Sequence, residues 1–332
     1  MILPDILTIP WSLSRPKERA PLLMDTAPDT APATPWTIAV LGPGGVGGLL
    51  AALLSRAGHR VICLAGEDTA RTLARDGIRV SSGQHGDFTA RVEADTELRE
   101  PVDLCLVTVK HTALDAALDR VPPQYARGFV LPLLNGVEHV AALRGRYGAE
   151  QVVPAVIRVE STRTAAGVVE HGSPFTEIDV AGADEARLAP LAAVLTAAGV
   201  KTCTVADENA ALWAKLAFLA PFALLTTRYG LSIGGIRDEH AKELAALVEE
   251  TTAVSRACGG PGDAAQVLAR YDAFPAQSKS SMLRDAEAGR ALELDAIGGA
   301  VLRAAERHGI EVPLATRLVA ELADGTAAAP SA

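Results

Sequence analysis

One stretch restricts this chain's fold more than any other: Trp36-Thr37-Ile38-Ala39-Val40-Leu41-Gly42-Pro43-Gly44-Gly45-Val46-Gly47-Gly48-Leu49-Leu50-Ala51. Ile38 to Leu41 form a short unbroken apolar run, the pattern of a strand buried on both faces of a parallel sheet. Gly42, Gly44 and Gly47 follow with the G-x-G-x-x-G spacing, and an Ala/Leu-rich helix then runs from Leu49 to Arg56. Each glycine has a physical task. Gly42 allows the sharp turn, Gly44 lets a pyrophosphate approach the backbone, and Gly47 lets helix and strand pack closely. The spacing alone is weak in a chain with 29 glycines. Its place between a strand and a helix, with a second strand at Arg60 to Leu64, is the context that a dinucleotide site demands.

The rest of the first two thirds repeats the pattern. After the second strand come Glu67 and Asp68, about 20 residues past the glycines, where a carboxylate reads the ribose of NAD. Arg71 lies one turn on, where a cation accommodates the extra phosphate of NADP. All three read equally as solvated residues at a helix start, so the cofactor form stays open. Short strands joined by a polar turn are expected over 78–93. A buried strand, Asp103 to Val109, ends in Lys110, which by itself reads first as an exposed strand-end lysine. A helix is expected from Ala113 to Leu118. The next strand, Phe129 to Leu134, contains Pro132, unusual for a central strand. It ends in Asn135-Gly136, before a helix from Glu138 to Tyr147. Short strands fill 151–181, a helix 184–198, and a strand runs from Lys201 to Val205. Such alternation, with polar strand ends, argues for an α/β doubly wound parallel sheet.

From Asp207 the pattern is helical almost throughout, so an all-α second domain is expected. The division is 35–206 and 207–326, with disordered ends at 1–34 and 327–332. Met24 is an alternative start. Within Trp213-Ala214-Lys215-Leu216-Ala217 a lysine interrupts an apolar run. It either snorkels to solvent, the common case, or lines a pocket with a lowered pKa that suits proton transfer. Further helices are expected at 236–257, 263–272 and 296–307, and after Pro313. Ser281 and Glu293 read on their own as a helix cap and a surface carboxylate.

Composition excludes several alternatives. The net charge is −9 with no Lys/Arg cluster, which argues against nucleic acid and anionic membrane partners. Cys63, Cys105, Cys203 and Cys258 lack metal or redox spacing and read as small core residues in a reducing compartment, the cytoplasm. The seven histidines form no H-x-x-x-H pair, so no metal site is expected. No run approaches the roughly 20 apolar residues of a membrane helix.

Taken in order, the glycine turn, Val107-Thr108-Val109-Lys110, Leu134-Asn135-Gly136, Trp213-Ala214-Lys215-Leu216, Ser280-Ser281-Met282-Leu283-Arg284-Asp285, Glu293-Leu294-Asp295 and His308-Gly309-Ile310-Glu311-Val312-Pro313 resemble the ketopantoate reductase (2-dehydropantoate 2-reductase) family over roughly 36–325. The resemblance implies an N-terminal Rossmann-type domain, a helical C-terminal domain and an active site between them. It implies NAD(P)H-dependent reduction of a 2-keto acid, with NADP as the cofactor and NAD as the alternative, and a homodimer. Gly42, Gly44, Gly45, Val46 and Gly47 would hold the pyrophosphate. Lys110 and Asn135 would lie beside the nicotinamide and the substrate, Lys215 would be the general acid, and Ser281 and Glu293 would bind substrate.

Two departures stand out. The family carries asparagines one and two turns after the lysine; here Leu219 and Ala223 occupy those places. A substrate hydroxyl left unpaired there costs about 1–3 kcal/mol, which points to a substrate more apolar than ketopantoate, or a repositioned one. The basic residue that many NADP-using members carry after the second strand falls at Gly66. The competing readings are a reductase of another carbonyl or an imine, and a non-catalytic dinucleotide sensor. Retention of Lys215 with Glu293 speaks against the sensor.

Overall fold

The computed structural model describes residues 34–325. The expectations for the two ends, including the start at Met24, lie outside the described residues. In chain order the first part runs β1 (Thr37–Leu41), α1 (Gly45–Arg56), β2 (Arg60–Leu64), α2 (Glu67–Asp76), β3 (Ile78–Ser82), β4 (Phe88–Ala90), β5 (Glu93–Asp95) and β6 (Leu104–Val107). It continues with a 3₁₀ turn (His111–Ala113), α3 (Leu114–Leu118), β7 (Phe129–Pro132), α4 (His139–Tyr147), β8 (Ala155–Arg158), β9 (Ser161–Ala165), β10 (Val168–His171), β11 (Glu177–Ala181), α5 (Glu185–Ala197) and β12 (Lys201–Val205).

Five strands form the expected parallel sheet in the order β5-β2-β1-β6-β7. It is buried on both faces. Ile38 and Val40 of β1 join one core with Leu49, Leu50 and Leu53 of α1, while Ala39 and Leu41 join the other with Leu114, Leu143 and Tyr147. This double burial is why the strands read as unbroken apolar runs. Pro132 fits because β7 is the edge strand of this ladder and Pro132 is its last residue. The Leu133 N–H resumes the ladder, donating to Val107 O at 2.9 Å. The remaining strands leave this sheet and build two others, β4-β3-β10-β9 and β12-β11-β8. Helix α1 lies between the first sheet and β3, β9 and β10. Cys63 and Cys105 are core residues, their thiols pushed up to about 12 by burial, whereas Cys203 is exposed.

The second part holds α6 (Glu208–Tyr229), α7 (Ile233–Glu239), α8 (Ala241–Ala257), α9 (Ala264–Ala273), α10 (Ser281–Glu287), a π turn (Asp295–Gly299), α11 (Ala300–His308) and α12 (Pro313–Ala323). Helix α6 is its axis. Asp207 caps it, accepting the Ala210 N–H at 3.0 Å, and Gly230 ends it at φ 67°. Pro221 sits inside the helix and lacks the N–H that would bond Ala217 O. Thr251 Oγ1 of α8 donates to that carbonyl at 3.2 Å, which satisfies it. Contrary to the expectation that no segment could span a membrane, the 22-residue α6 is long and apolar enough; 72% of its apolar window is buried inside the protein, as in a core helix. A single helix was expected over 236–257, but the chain breaks at His240, whose backbone leaves the helix at φ −126°, ψ 26°. Its ring stacks on Tyr229 with centroids 3.6 Å apart.

Candidate active site

The glycine turn has the geometry that its spacing predicts. Gly42 has φ 86°, and a Cβ there would come 2.5 Å from Val109 Cγ1. A Cβ on Gly47 would come 2.2 Å from Thr108 Oγ1 and 2.5 Å from Gly42 O, so this glycine sets how closely α1 meets β6. Gly44 differs: a Cβ there meets nothing closer than Gly42 O at 3.9 Å, so its face is open. Gly44 is also the N-cap of α1, and the first helical bond runs from Gly48 N–H to Gly44 O at 2.9 Å. The N–H groups of Gly45, Val46 and Gly47 therefore precede the helical ladder at the positive end of its dipole. An open glycine face beside such donors fits a pyrophosphate. Gly45 has a structural task too, since a Cβ there would lie 2.1 Å from Ser161 O of β9. Val46 packs, partly buried, against the first core. After β2, Asp68 and Arg71 pair at 3.1 Å on the exposed surface of α2.

Lys110, Asn135, Lys215 and Glu293 converge where β6 and β7 leave the sheet. Glu293 is 7% exposed, which corrects its reading as a surface carboxylate. Its Oε1 accepts the His111 N–H at 2.9 Å and its Oε2 accepts from Asn135 Nδ2 at 2.9 Å. Lys110 is exposed, as read from its place at the strand end, and its ammonium lies 2.6 Å from Asp285 Oδ2. Lys215 reaches Leu134 O with Nζ at 3.5 Å. Its side chain keeps some exposure, yet enclosure of the amine lowers its pKa to about 8, opposed by the charge of Glu293 and aided by that of Arg158. Such an amine exchanges its proton near neutrality, which an ordinary lysine does not.

The structure places Ser281 less centrally. It is exposed at the first position of α10, and the cap expected of it belongs to Ser280, whose buried Oγ accepts the Leu283 N–H at 3.0 Å. Leu219, one turn beyond Lys215, is the single residue from Leu216 to Thr227 that is not buried, whereas Ala223 is fully enclosed. Of the two replaced asparagine positions, only Leu219 therefore reaches a surface.

Two residues had no role in the sequence reading. Asp285 is four residues past Ser281 on the same helical face, a spacing that was available to find it. His139, just after Asn135-Gly136, is 1% exposed, and neither ring nitrogen has a partner among the described residues. Burial, with the charges of Lys215 and His111, lowers its pKa to about 3, so it stays neutral.

The chain matches the family described as ketopantoate reductase PanE/ApbA over residues 38–183 and that family's C-terminal domain over 207–325. A 2-dehydropantoate 2-reductase of Caulobacter vibrioides is 35% identical over 297 residues, which is 86% of this chain and 98% of the relative. The crystal structure of a 2-dehydropantoate 2-reductase from Geobacter metallireducens superposes with TM-score 0.80 at 30% identity, covering 87% of this chain and 99% of that one. A PanE/ApbA family ketopantoate reductase from Ralstonia eutropha gives TM-score 0.79 at 30% identity, covering 86% and 97%.

Proposed function

This chain belongs to the ketopantoate reductase family, and from that premise we propose that it reduces a 2-keto acid to the 2-hydroxy acid, as in the conversion of 2-dehydropantoate to pantoate. It is an oxidoreductase dependent on a nicotinamide dinucleotide. NADPH is the proposed donor and NADH the alternative, since a cation and a carboxylate, Arg71 and Asp68, stand together on the exposed surface of α2.

Lys215 carries the reading. Its lowered pKa lets it give up a proton within the working range of an enzyme. When bound, the cofactor supplies the hydride to the ketone carbon. Charge then develops on the ketone oxygen, and the Lys215 ammonium both stabilises it and delivers the proton. Glu293 keeps that ammonium charged, because its negative charge opposes the loss of the proton. It also fixes Asn135 and the Lys110-His111 corner around the substrate. Gly42, Gly44 and the first-turn amides of Gly45, Val46 and Gly47 hold the pyrophosphate. Ser281 faces the substrate from α10, and Leu219 offers it an apolar wall. The same reading has residues 35–206 as the cofactor domain and 207–326 as the substrate domain, of a cytoplasmic homodimer that serves pantothenate synthesis.

The test is steady-state oxidation of NADPH and of NADH with ketopantoate by the purified protein. Turnover that falls by about 10²–10⁴ in Lys215→Ala, with cofactor binding retained, is the expected result. Wild-type turnover that survives unchanged in Lys215→Ala removes the assigned acid. Cofactor binding without turnover of ketopantoate or of more apolar 2-keto acids favours a sensor.

A further inference from the structure

Glu293 and Asn135 are joined by one direct hydrogen bond, Asn135 Nδ2 donating to Glu293 Oε2 at 2.9 Å. A second bridge runs beside it. Arg303 of α11 forks between Glu138, three residues after Asn135, and Asp295, two residues after Glu293. Its Nη2 donates to Glu138 Oε2 at 2.7 Å, and its Nε lies 3.1 Å from both carboxylate oxygens of Glu138. Its Nη1 donates to Asp295 Oδ1 at 2.6 Å, and its Nη2 reaches the Asp295 backbone carbonyl at 3.2 Å. One planar guanidinium thus ties the loop after β7 to the segment that follows Glu293. A point-like ammonium cannot reproduce that fork.

The segment is the π turn. The Ala300 N–H donates to Asp295 O, five residues back, whereas in an α-helix that carbonyl would take the N–H of Gly299. Arg303 adds its own N–H to the same carbonyl. Two glycines make room for this arrangement. A Cβ on Gly299 would come 2.6 Å from Asp295 Oδ1 and 3.0 Å from Arg303 Nη1, and a Cβ on Gly136 would collide with Ala296 O. The backbone after Asn135 therefore lies directly on the π turn. Loss of the extra residue, on relaxing to α, would rotate Glu293 by about 100° about the helix axis, away from Asn135. The ion pairs add little to stability, because the side chains of Arg303, Glu138 and Asp295 are 39%, 34% and 71% exposed and such pairs contribute about 0–1 kcal/mol each. Their worth at this place is geometric.

We propose that Arg303 is a positioning residue: by gripping Glu138 and Asp295 together it keeps the 295–299 turn in its π register and so holds the Glu293 carboxylate against Asn135 and beside Lys215. This rests on the reading of Lys215 as the acid and of Glu293 as the charge that keeps it protonated. The charges that reach Lys215 are those of Glu293, which favours the ammonium, and Arg158 of β8, which opposes it; His139 of α4, which is neutral, lies within the field of the lysine. Arg303 acts on that amine by where it puts Glu293.

The test is the pH dependence of kcat for ketopantoate reduction by the full chain, with KM for NADPH measured beside it, in wild type, Arg303→Met, Arg303→Lys, Glu293→Gln and Arg303→Met/Glu293→Gln. Arg303→Met is expected to move the alkaline fall of kcat down by about one pH unit, the least that loss of an adjacent opposite charge is worth, and to leave KM for NADPH within about two-fold. Removal of a cation by charge alone would move the fall upward, so the direction separates placement from simple electrostatics. Arg303→Lys keeps the charge but cannot fork, and should also move the fall down. In the Glu293→Gln background Arg303→Met should move it no further. An upward or absent shift, a shift that persists without the Glu293 charge, or wild-type behaviour of Arg303→Lys would each overturn the proposal. If Arg303→Met does not fold, Arg303→Lys takes its place in the cycle, and its downward shift must vanish in the Glu293→Gln background. A wild type that reduces no 2-keto acid would overturn the functional reading and this inference together. Wild-type turnover with a fall near pH 8 that Arg303→Met leaves in place would overturn this inference alone.

Discussion

An amine that loses its proton near pH 8 suits a reduction run near neutrality, because the acid must be charged to deliver its proton. Reductive kcat is therefore expected to be level below about pH 8 and to fall as pH rises through that value, the value to which burial lowers Lys215. A pH profile still flat at pH 9.5 would remove Lys215 from the role. The same shift affects stability, with a definite sign. The folded amine titrates near 8 and the unfolded one near 10.5, so between those values the unfolded chain binds more protons and stability rises with pH. Below about 8 the folded state carries a charge that burial disfavours. Lys215→Met should accordingly raise the melting temperature at pH 7 while it abolishes turnover, and differential scanning fluorimetry beside the activity assay reads both. At this scale the sequence exposed residue types but not their partners. Lys215 was visible as a charge in an apolar run. Burial of Glu293, capture of Lys110 by Asp285 and the shift of the cap from Ser281 to Ser280 depend on contacts between segments more than 100 residues apart, or on one residue of helical phase, which no local pattern carries.

Among the elements, the strand-turn-helix from β1 to α1 separates packing from ligand approach, because its glycines do different work. Gly47→Ala puts a methyl 2.2 Å from Thr108 Oγ1 and 2.5 Å from Gly42 O, which must push α1 off the sheet. A loss of about 1–3 kcal/mol of stability is expected, with cofactor affinity falling as a consequence. Gly44→Ala meets no atom closer than 3.9 Å. It should leave the urea midpoint unchanged and still weaken NADPH binding, read by quenching of tryptophan fluorescence, by ten-fold or more. Equal binding by wild type and Gly44→Ala would move the pyrophosphate away from this turn. Of the five strands of the parallel sheet, β5 (Glu93–Asp95) has no buried residue and carries no apolar run; the other four, β1, β2, β6 and β7, were legible because burial on both faces leaves an unbroken apolar signature. The two side sheets were not. β3 pairs with β10 across about 90 residues of chain, and strands this short, half of them exposed, leave only short stretches of alternation. The break at His240 was equally hidden, since its physical mark is a ring stacked on Tyr229 rather than a Gly or Pro.

At the scale of the whole molecule, the boundary near residue 207 marks a change of composition without a break in packing. Residues 35–325 form one compact unit. Helix α6, which opens the helical part, contributes Leu212 to the core beneath the parallel sheet and packs along β8 and β11. Glu138, at the start of α4, accepts from Arg303 of α11 at 2.7 Å, and Arg144 of α4 pairs with Glu208 of α6 at 2.6 Å. Apolar continuity of this kind couples unfolding far more strongly than exposed ion pairs do, since those contribute about 0–1 kcal/mol each. Heat should therefore unfold the two parts in one cooperative transition. Added NADPH should move that transition upward as a whole, by about 2.7 kcal/mol of stability at a hundred-fold excess over Kd. Differential scanning calorimetry, with the calorimetric enthalpy compared with the van't Hoff value, is the measurement. Two resolved transitions, of which only the earlier-sequence part responds to NADPH, would mean that the core shared through Leu212 does not couple the parts. The dinucleotide would then grip the sheet alone, and the helical part would be free to move over it.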